Sequence, residues 1–214
     1  MNFISHHEVA KQYNPESTPS FLFGSFVTDL ARMSGTRRLL MGASGPELLA
    51  GIKFHQLTNP AFDNQPVISK LEEDMKASFM DFLPWRPATQ ASRAGKDLLF
   101  DGIQFSEPRV IDDLSATLDS VLANKVDLSG IDNTAPLLEV VSYIRQYGPP
   151  RYDETETVAK RLYGTLSRTR TPLPEIFFDN VIEVLEEHQP TIFAIGSLAM
   201  KQTVDNLRAM YLSL

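Results

Sequence analysis

Apolar residues recur at three- and four-residue spacing from one end of this chain to the other, and no β-branched run alternates with period two over the length of a strand. That pattern confines the chain to an all-α fold. Phe21, Leu22, Phe26, Val27, Leu30 and Met33 set out an amphipathic helix over 19–34 that stops at Ser34-Gly35. Gly45-Pro46 opens a helix read from Ser44 to Leu57, with proline in the first turn, where its missing N–H does no harm. Thr58-Asn59-Pro60 then reads as a turn. Asp63 reads as the N-cap of a helix running to about residue 82, with Pro66 inside its first turn. Residues 83–87 form a connector, and further helices are predicted near 89–105, 109–125, 135–147, 153–168, 172–188 and 190–213. Gln189-Pro190 separates the last two, as in an antiparallel pair. Pro149-Pro150 is the one candidate internal boundary. Each flank alone has a modest core, so residues 1–214 are expected to form a single domain.

Charge and composition then narrow the classes of function. The absence of cysteine removes a disulfide scaffold, a thiolate metal site and a cysteine nucleophile. Of the net charge of −7, residues 1–100 contribute none, with ten Lys/Arg against ten Asp/Glu, and the remainder carries ten against seventeen. No basic face is evident, so nucleic acid is not an expected partner. An acidic protein partner would dock on the neutral N-terminal half, near Arg32, Arg37, Arg38, Lys53, Arg86, Arg93 and Lys96, although solvated helix faces account for most such charges. The start has no basic n-region with an apolar run behind it, and nowhere do eighteen apolar residues follow one another. The expectation is a soluble, cytoplasmic protein with no membrane partner.

Polar residues stand where a purely structural helix would place others. His6 and His7 head the first segment, Asp29 lies between Val27 and Leu30, and His55 follows Gly51-Ile52-Lys53-Phe54. Asp97 and Asp101, at i and i+4, share one helix face. Each has a plain structural explanation. Asp29 could pair with Arg32 or Arg93, Asp63 could only cap a helix, and a cation, Lys96, Arg93 or water could relieve the Asp97–Asp101 repulsion. Together they make a histidine-and-carboxylate set of the kind that binds Mn²⁺, Mg²⁺ or a similar ion. Such a site suits phosphodiester hydrolysis, because a divalent ion polarises a phosphoryl oxygen and acidifies bound water. The signatures of zincins, P-loop NTPases and serine hydrolases are absent.

Four blocks resemble the acyl carrier protein phosphodiesterase family. Met1-Asn2-Phe3-Ile4-Ser5-His6 is similar to its MNFLAH opening, and Phe23-Gly24-Ser25-Phe26-Val27-Thr28-Asp29 to its GN-hydrophobic-x-x-D segment. Ala50-Gly51-Ile52-Lys53-Phe54-His55, continuing through Phe62-Asp63-Asn64-Gln65-Pro66-Val67, resembles its AGI-x-x-H-R…TD-x-x-P-V block. Lys96-Asp97-Leu98-Leu99-Phe100-Asp101 falls where the family carries a D-x-x-x-DH helix, and weaker likeness runs through Gly164-Thr165-Leu166-Ser167-Arg168. The resemblance implies a fold related to the HD-domain phosphohydrolases. It also implies a divalent metal, commonly Mn²⁺, and hydrolysis of the phosphodiester that joins 4′-phosphopantetheine to acyl carrier protein. Carried over, it makes His6, Asp29, His55 and Asp101 the expected metal ligands, with Asp63 and Asp97 orienting ligands or the attacking water.

Departures from the family pattern are Glu8, Gln56, Asn59 and, in place of the histidine of the D-H pair, Gly102. His7 or Glu8 could substitute for the missing ligands, and Gly102→His is expected to restore the pair. Two outcomes stay open: a phosphodiesterase, or a diverged helical binding module without catalysis.

Overall fold

A computed structural model describes residues 1–36, 45–169 and 173–212. Among them the chain forms nine α-helices and no strand: α1 Phe3–Tyr13, α2 Pro19–Ser34, α3 Pro46–Asp63, α4 Pro66–Met80, α5 Trp85–Ile103, α6 Pro108–Leu122, α7 Thr134–Tyr147, α8 Thr155–Leu166 and α9 Phe177–Leu212. Single 3₁₀ turns, Gln104–Ser106 and Ser167–Thr169, extend α5 and α8. Arg37, Arg38 and Ser44 lie outside the described residues, as do Pro172 and Ser213 at the edges of the last two predicted helices. No described helix is long and apolar enough to cross a membrane.

Local chemistry explains most of the boundaries. Proline occupies the first turn of α2, α3, α4 and α6. Thr18 caps α2 by accepting from the Phe21 N–H at 3.3 Å, and Gly35, at φ 74°, ends it in the left-handed conformation.

Three expected boundaries are not observed. The predicted turn at Thr58-Asn59-Pro60 lies inside α3, which continues to Asp63. Asp63 therefore ends one helix instead of capping the next; Gln65 is the extended residue before Pro66 and α4. The predicted pair at the C-terminus is one 36-residue helix, α9, running through Pro190. Both interior prolines free the carbonyl four residues upstream, on Gln56 and Glu186, and both of those residues are exposed, so water can take the bond. Packing offsets the rest of the cost. Phe54, Thr58 and Phe62 are buried around the first proline, and α9, about 54 Å long, packs along α1, α3, α4, α5 and α8.

One continuous apolar core takes residues from every helix. At its centre is α1, buried at every position from Phe3 to Ala10 and in contact with α2, α3, α5, α6 and α9. The closest helix pairing is α2 on α3. A Cβ at Gly24 would overlap the Leu48 carbonyl and come within 2.9 Å of Gly51 Cα, and one at Gly51 would overlap the Phe21 carbonyl. Two glycines thus bring two backbones into contact, one turn from Asp29 on α2 and from His55 on α3.

Candidate metal centre

A helix buried from Phe3 to Ala10 that carries the run Ser5-His6-His7-Glu8 must find a partner for each polar group, because an unpaired polar atom in the core costs about 1–3 kcal/mol. His7 Nε2 meets Thr117 Oγ1 on α6 at 3.1 Å, and Glu8 accepts from Gln12 at 2.7 Å and faces Arg109 at 3.5 Å. Neither turns toward His6, so neither replaces a missing ligand. Among the described residues, His6 has no hydrogen-bond partner on either ring nitrogen.

What His6 faces is Asp29 and His55. Its Nε2 lies 3.9 Å from Asp29 Oδ2, and its ring centroid lies 4.0 Å from that of His55. Asp29 Oδ2 is also buried and unpartnered. The His55 Nδ1–H donates to the Ser25 carbonyl at 2.9 Å, which fixes the tautomer and leaves the Nε2 lone pair toward the cluster, 3.4 Å from the Asn59 amide nitrogen. One donor atom from each of the three residues fits within a mutual distance of 4.8 Å, the one such trio among the described residues.

The electrostatics of the trio suit a cation. Burial, and then the His55 imidazole, hold His6 well below its ordinary value; burial, opposed by the Ser25 hydrogen bond, takes His55 down to about 4. Both rings are therefore neutral with lone pairs free near pH 7. Burial pushes Asp29 up to about 7, with the Met1 ammonium opposing and Asp101 adding to the rise. Arg32, the expected partner, stands 3.8 Å away with its side chain 75% exposed, too far and too wet to neutralise the carboxylate. Arg93, the other candidate, pairs with Glu72 at 3.5 Å. Two neutral imidazoles and one acid whose buried oxygen has no partner suit a divalent transition ion.

The other predicted site residues lie elsewhere. Both Asp101 oxygens are occupied by backbone, accepting from Ile4 N–H at 3.1 Å and Ser5 N–H at 2.8 Å. Asp101 thus caps α1 from α5, 97 residues away in sequence, and lies outside the trio that His6, Asp29 and His55 form. Burial still pushes it up to about 7 against those hydrogen bonds. Asp97 is held by the Met1 ammonium at 2.9 Å and by Lys96 at 3.5 Å. Asp63 receives Lys96 at 2.9 Å, and Glu72, which sequence reasoning did not single out, receives it at 2.8 Å. Neither Asp63 nor Asp97 orients a ligand of the trio. Lys96, counted above among docking cations, has a side chain with no exposed surface.

Gly102 has no room for a side chain. A Cβ there would overlap the Tyr152 carbonyl oxygen and sit 2.8 Å from the Asp153 nitrogen. Gly102→His is therefore expected to force α5 from the 150–153 loop and lose stability, not to rebuild a ligand.

A cleft of about 280 Å³ opens over Asp29, lined among others by Arg32, Asp97, Arg161, Thr165 and Arg168. Arg161 and Arg168 were not read from the sequence as functional. Their visible signal is placement on α8 and its 3₁₀ extension opposite the buried Val158, Leu162 and Leu166. No protein-family profile, no curated protein and no solved structure matches this chain.

Proposed function

We propose that this protein is a metal-dependent phosphodiesterase of the acyl carrier protein phosphodiesterase type, on an HD-like helical fold, with Mn²⁺ as its ion and holo-acyl carrier protein as its substrate. The observation that carries the reading is the convergence of one buried donor atom each from His6, Asp29 and His55, those of His6 and Asp29 having no hydrogen-bond partner among the described residues. The family resemblance of the blocks around those three residues supports the choice of reaction and substrate.

In this reading His6, Asp29 and His55 hold the ion. Bound there, a divalent ion supplies charge to a phosphoryl oxygen and lowers the pKa of a water. The Ser25 carbonyl keeps His55 in the ligating tautomer, and Asp101 anchors the start of α1 so that His6 stays aimed at Asp29. Asn59, 3.4 Å from His55 Nε2, orients a polar group beside that nitrogen. The cleft above Asp29 admits substrate from solvent.

Metal analysis of protein purified without chelator, followed by a phosphopantetheine-release assay on holo-acyl carrier protein with added Mn²⁺, tests the proposal. One equivalent of metal, lost in His55→Ala, and release dependent on Mn²⁺ are expected. A protein that takes up no divalent ion up to millimolar concentration defeats the metal reading. One observation favours the second reading, a non-catalytic binding module of the same fold: Gly102 is packed against backbone where the family pattern places a histidine. Stoichiometric metal binding without phosphopantetheine release, together with retention of acyl carrier protein, would select it.

A further inference from the structure

The cleft above Asp29 is lined by three arginines, two of which face no carboxylate among the described residues. Arg93, Arg109, Arg145, Arg151 and Arg208 each face a carboxylate. Arg161 and Arg168 make no ion pair and no side-chain hydrogen bond among the described residues, and the acid that Arg32 faces, at 3.8 Å, is Asp29. Of the two cleft acids, Asp29 turns Oδ2 toward buried His6, and Asp97 is held by the Met1 ammonium and Lys96. A positive concavity on a chain of net charge −7 focuses field on anions.

Geometry narrows the kind of anion. Residues 161, 165 and 168, at i, i+4 and i+7, lie along one face of α8 and its 3₁₀ turn, with Arg32 of α2 also lining the cleft. Guanidinium groups present paired N–H donors in a planar fork that matches phosphate oxygens. At about 280 Å³ the cleft is below the usual ligand-pocket range of roughly 300–1,000 Å³. It accommodates a charged head, with the remainder of a larger molecule lying outside.

We infer that Arg161 and Arg168, with Arg32, form the phosphate-anchoring subsite of this protein, holding the phosphoryl group of a phosphoester beside the His6–Asp29–His55 cluster while the organic portion projects into solvent. The assignment to a substrate, as distinct from a bound anion, rests on the phosphodiesterase reading. Selectivity then resides on α8, a helix that contributes nothing to the metal trio.

The test uses calorimetric titration of the full chain with inorganic phosphate and with pyrophosphate, with and without Mn²⁺, alongside titration with Mn²⁺ alone. The double variant Arg161→Ala/Arg168→Ala should lose at least tenfold in phosphate affinity, while its affinity for Mn²⁺ stays within twofold of the parent. Arg161→Lys/Arg168→Lys should recover only part of the loss, because an ammonium group cannot form the paired bonds. An alanine variant with native circular dichroism and unchanged phosphate affinity overturns the inference, as does a parent protein that binds neither anion. Arginine-dependent phosphate binding in a protein that ignores Mn²⁺ leaves the subsite standing and sinks the metal reading. Mn²⁺ binding through Asp29 with arginine-independent phosphate binding does the reverse. Retention on immobilised polyglutamate without any response to phosphate would replace the phosphate assignment with an acidic protein surface.

Discussion

Two buried polar clusters lie side by side in this protein, and they solve the same problem in opposite ways. Between α3, α4 and α5, Lys96 gathers Asp63 at 2.9 Å, Glu72 at 2.8 Å and Asp97 at 3.5 Å, and lies over the Phe62 ring. Burial works against the Lys96 charge, but the three acids outweigh it and raise its pKa. That cluster carries its own cation and is closed. Between α1, α2 and α3, two neutral histidines and Asp29 face one another with no cation nearer than exposed Arg32. The difference teaches where the proposed ion would find a place: of the two clusters, the second has donor atoms to spare.

The comparison breaks most visibly at its closed end. Lys96→Met should cost about 3 kcal/mol in denaturant unfolding, the lower end for a broken buried ion pair because the three acids keep partial access to water. Mn²⁺ should not restore that loss; restoration would show that the acids accept a foreign cation and that the two clusters are alike. At the open end, Mn²⁺ at one hundred times its Kd should raise the unfolding free energy by about 2.7 kcal/mol, an effect reversed by chelator and absent from Asp29→Asn.

Without metal, Asp29→Asn should be more stable than the parent at pH 8, by on the order of 1 kcal/mol, what remains of the roughly 4 kcal/mol that the shift corresponds to once the asparagine amide bears its own burial cost. The sign follows from the rise of the Asp29 pKa from 3.8 to about 7. The unfolded chain ionises first, so the penalty to folding grows as pH climbs between those values and is constant above them. Asparagine carries no such penalty. A loss of stability in the metal-free variant would mean that Asp29 is a structural partner, like Asp97. The smallest effect is a proton count. Mn²⁺ binding at pH 6 should release about one proton, from Asp29, and at pH 8.5 almost none, as read by calorimetry in buffers of different ionisation enthalpy. His55 contributes nothing in that range because burial already holds it near 4.

Sequence spacing alone placed α2 to within a residue and identified three residues of the open cluster, because amphipathic period and polar intrusions into apolar helices are both local signals. It failed wherever a distant partner decided the outcome. Thr58-Asn59-Pro60 and Gln189-Pro190 read as breaks since nothing local shows that packing against other helices holds α3 and α9 together. Asp101 was expected at the metal because the block around it resembles the family's D-x-x-x-DH helix, yet the groups that hold it are amides of α1. Gly102 looked like a vacancy for histidine, whereas the Tyr152 carbonyl fills the space. Arg161 and Arg168 were not read as functional because what sets them apart, besides their place on α8, is the lack of a facing acid among the described residues, and that depends on the tertiary fold.

The Gly24–Gly51 contact has a consequence for what the open cluster can tolerate. Because main chain bears on main chain there, with Gly51 Cα only 2.9 Å from where a Gly24 side chain would begin, the interval between α2 and α3 is a gauge made of the stiffest material in the protein. Side chains can adjust a rotamer; touching backbones cannot close further, and any added methyl group would pry them apart. Asp29 and His55 ride on opposite jaws of that gauge. An ion held between them, as proposed, would be judged by its radius before its intrinsic affinity, and a weakly held metal such as manganese would then compete with ones that bind most nitrogen and oxygen ligands more tightly.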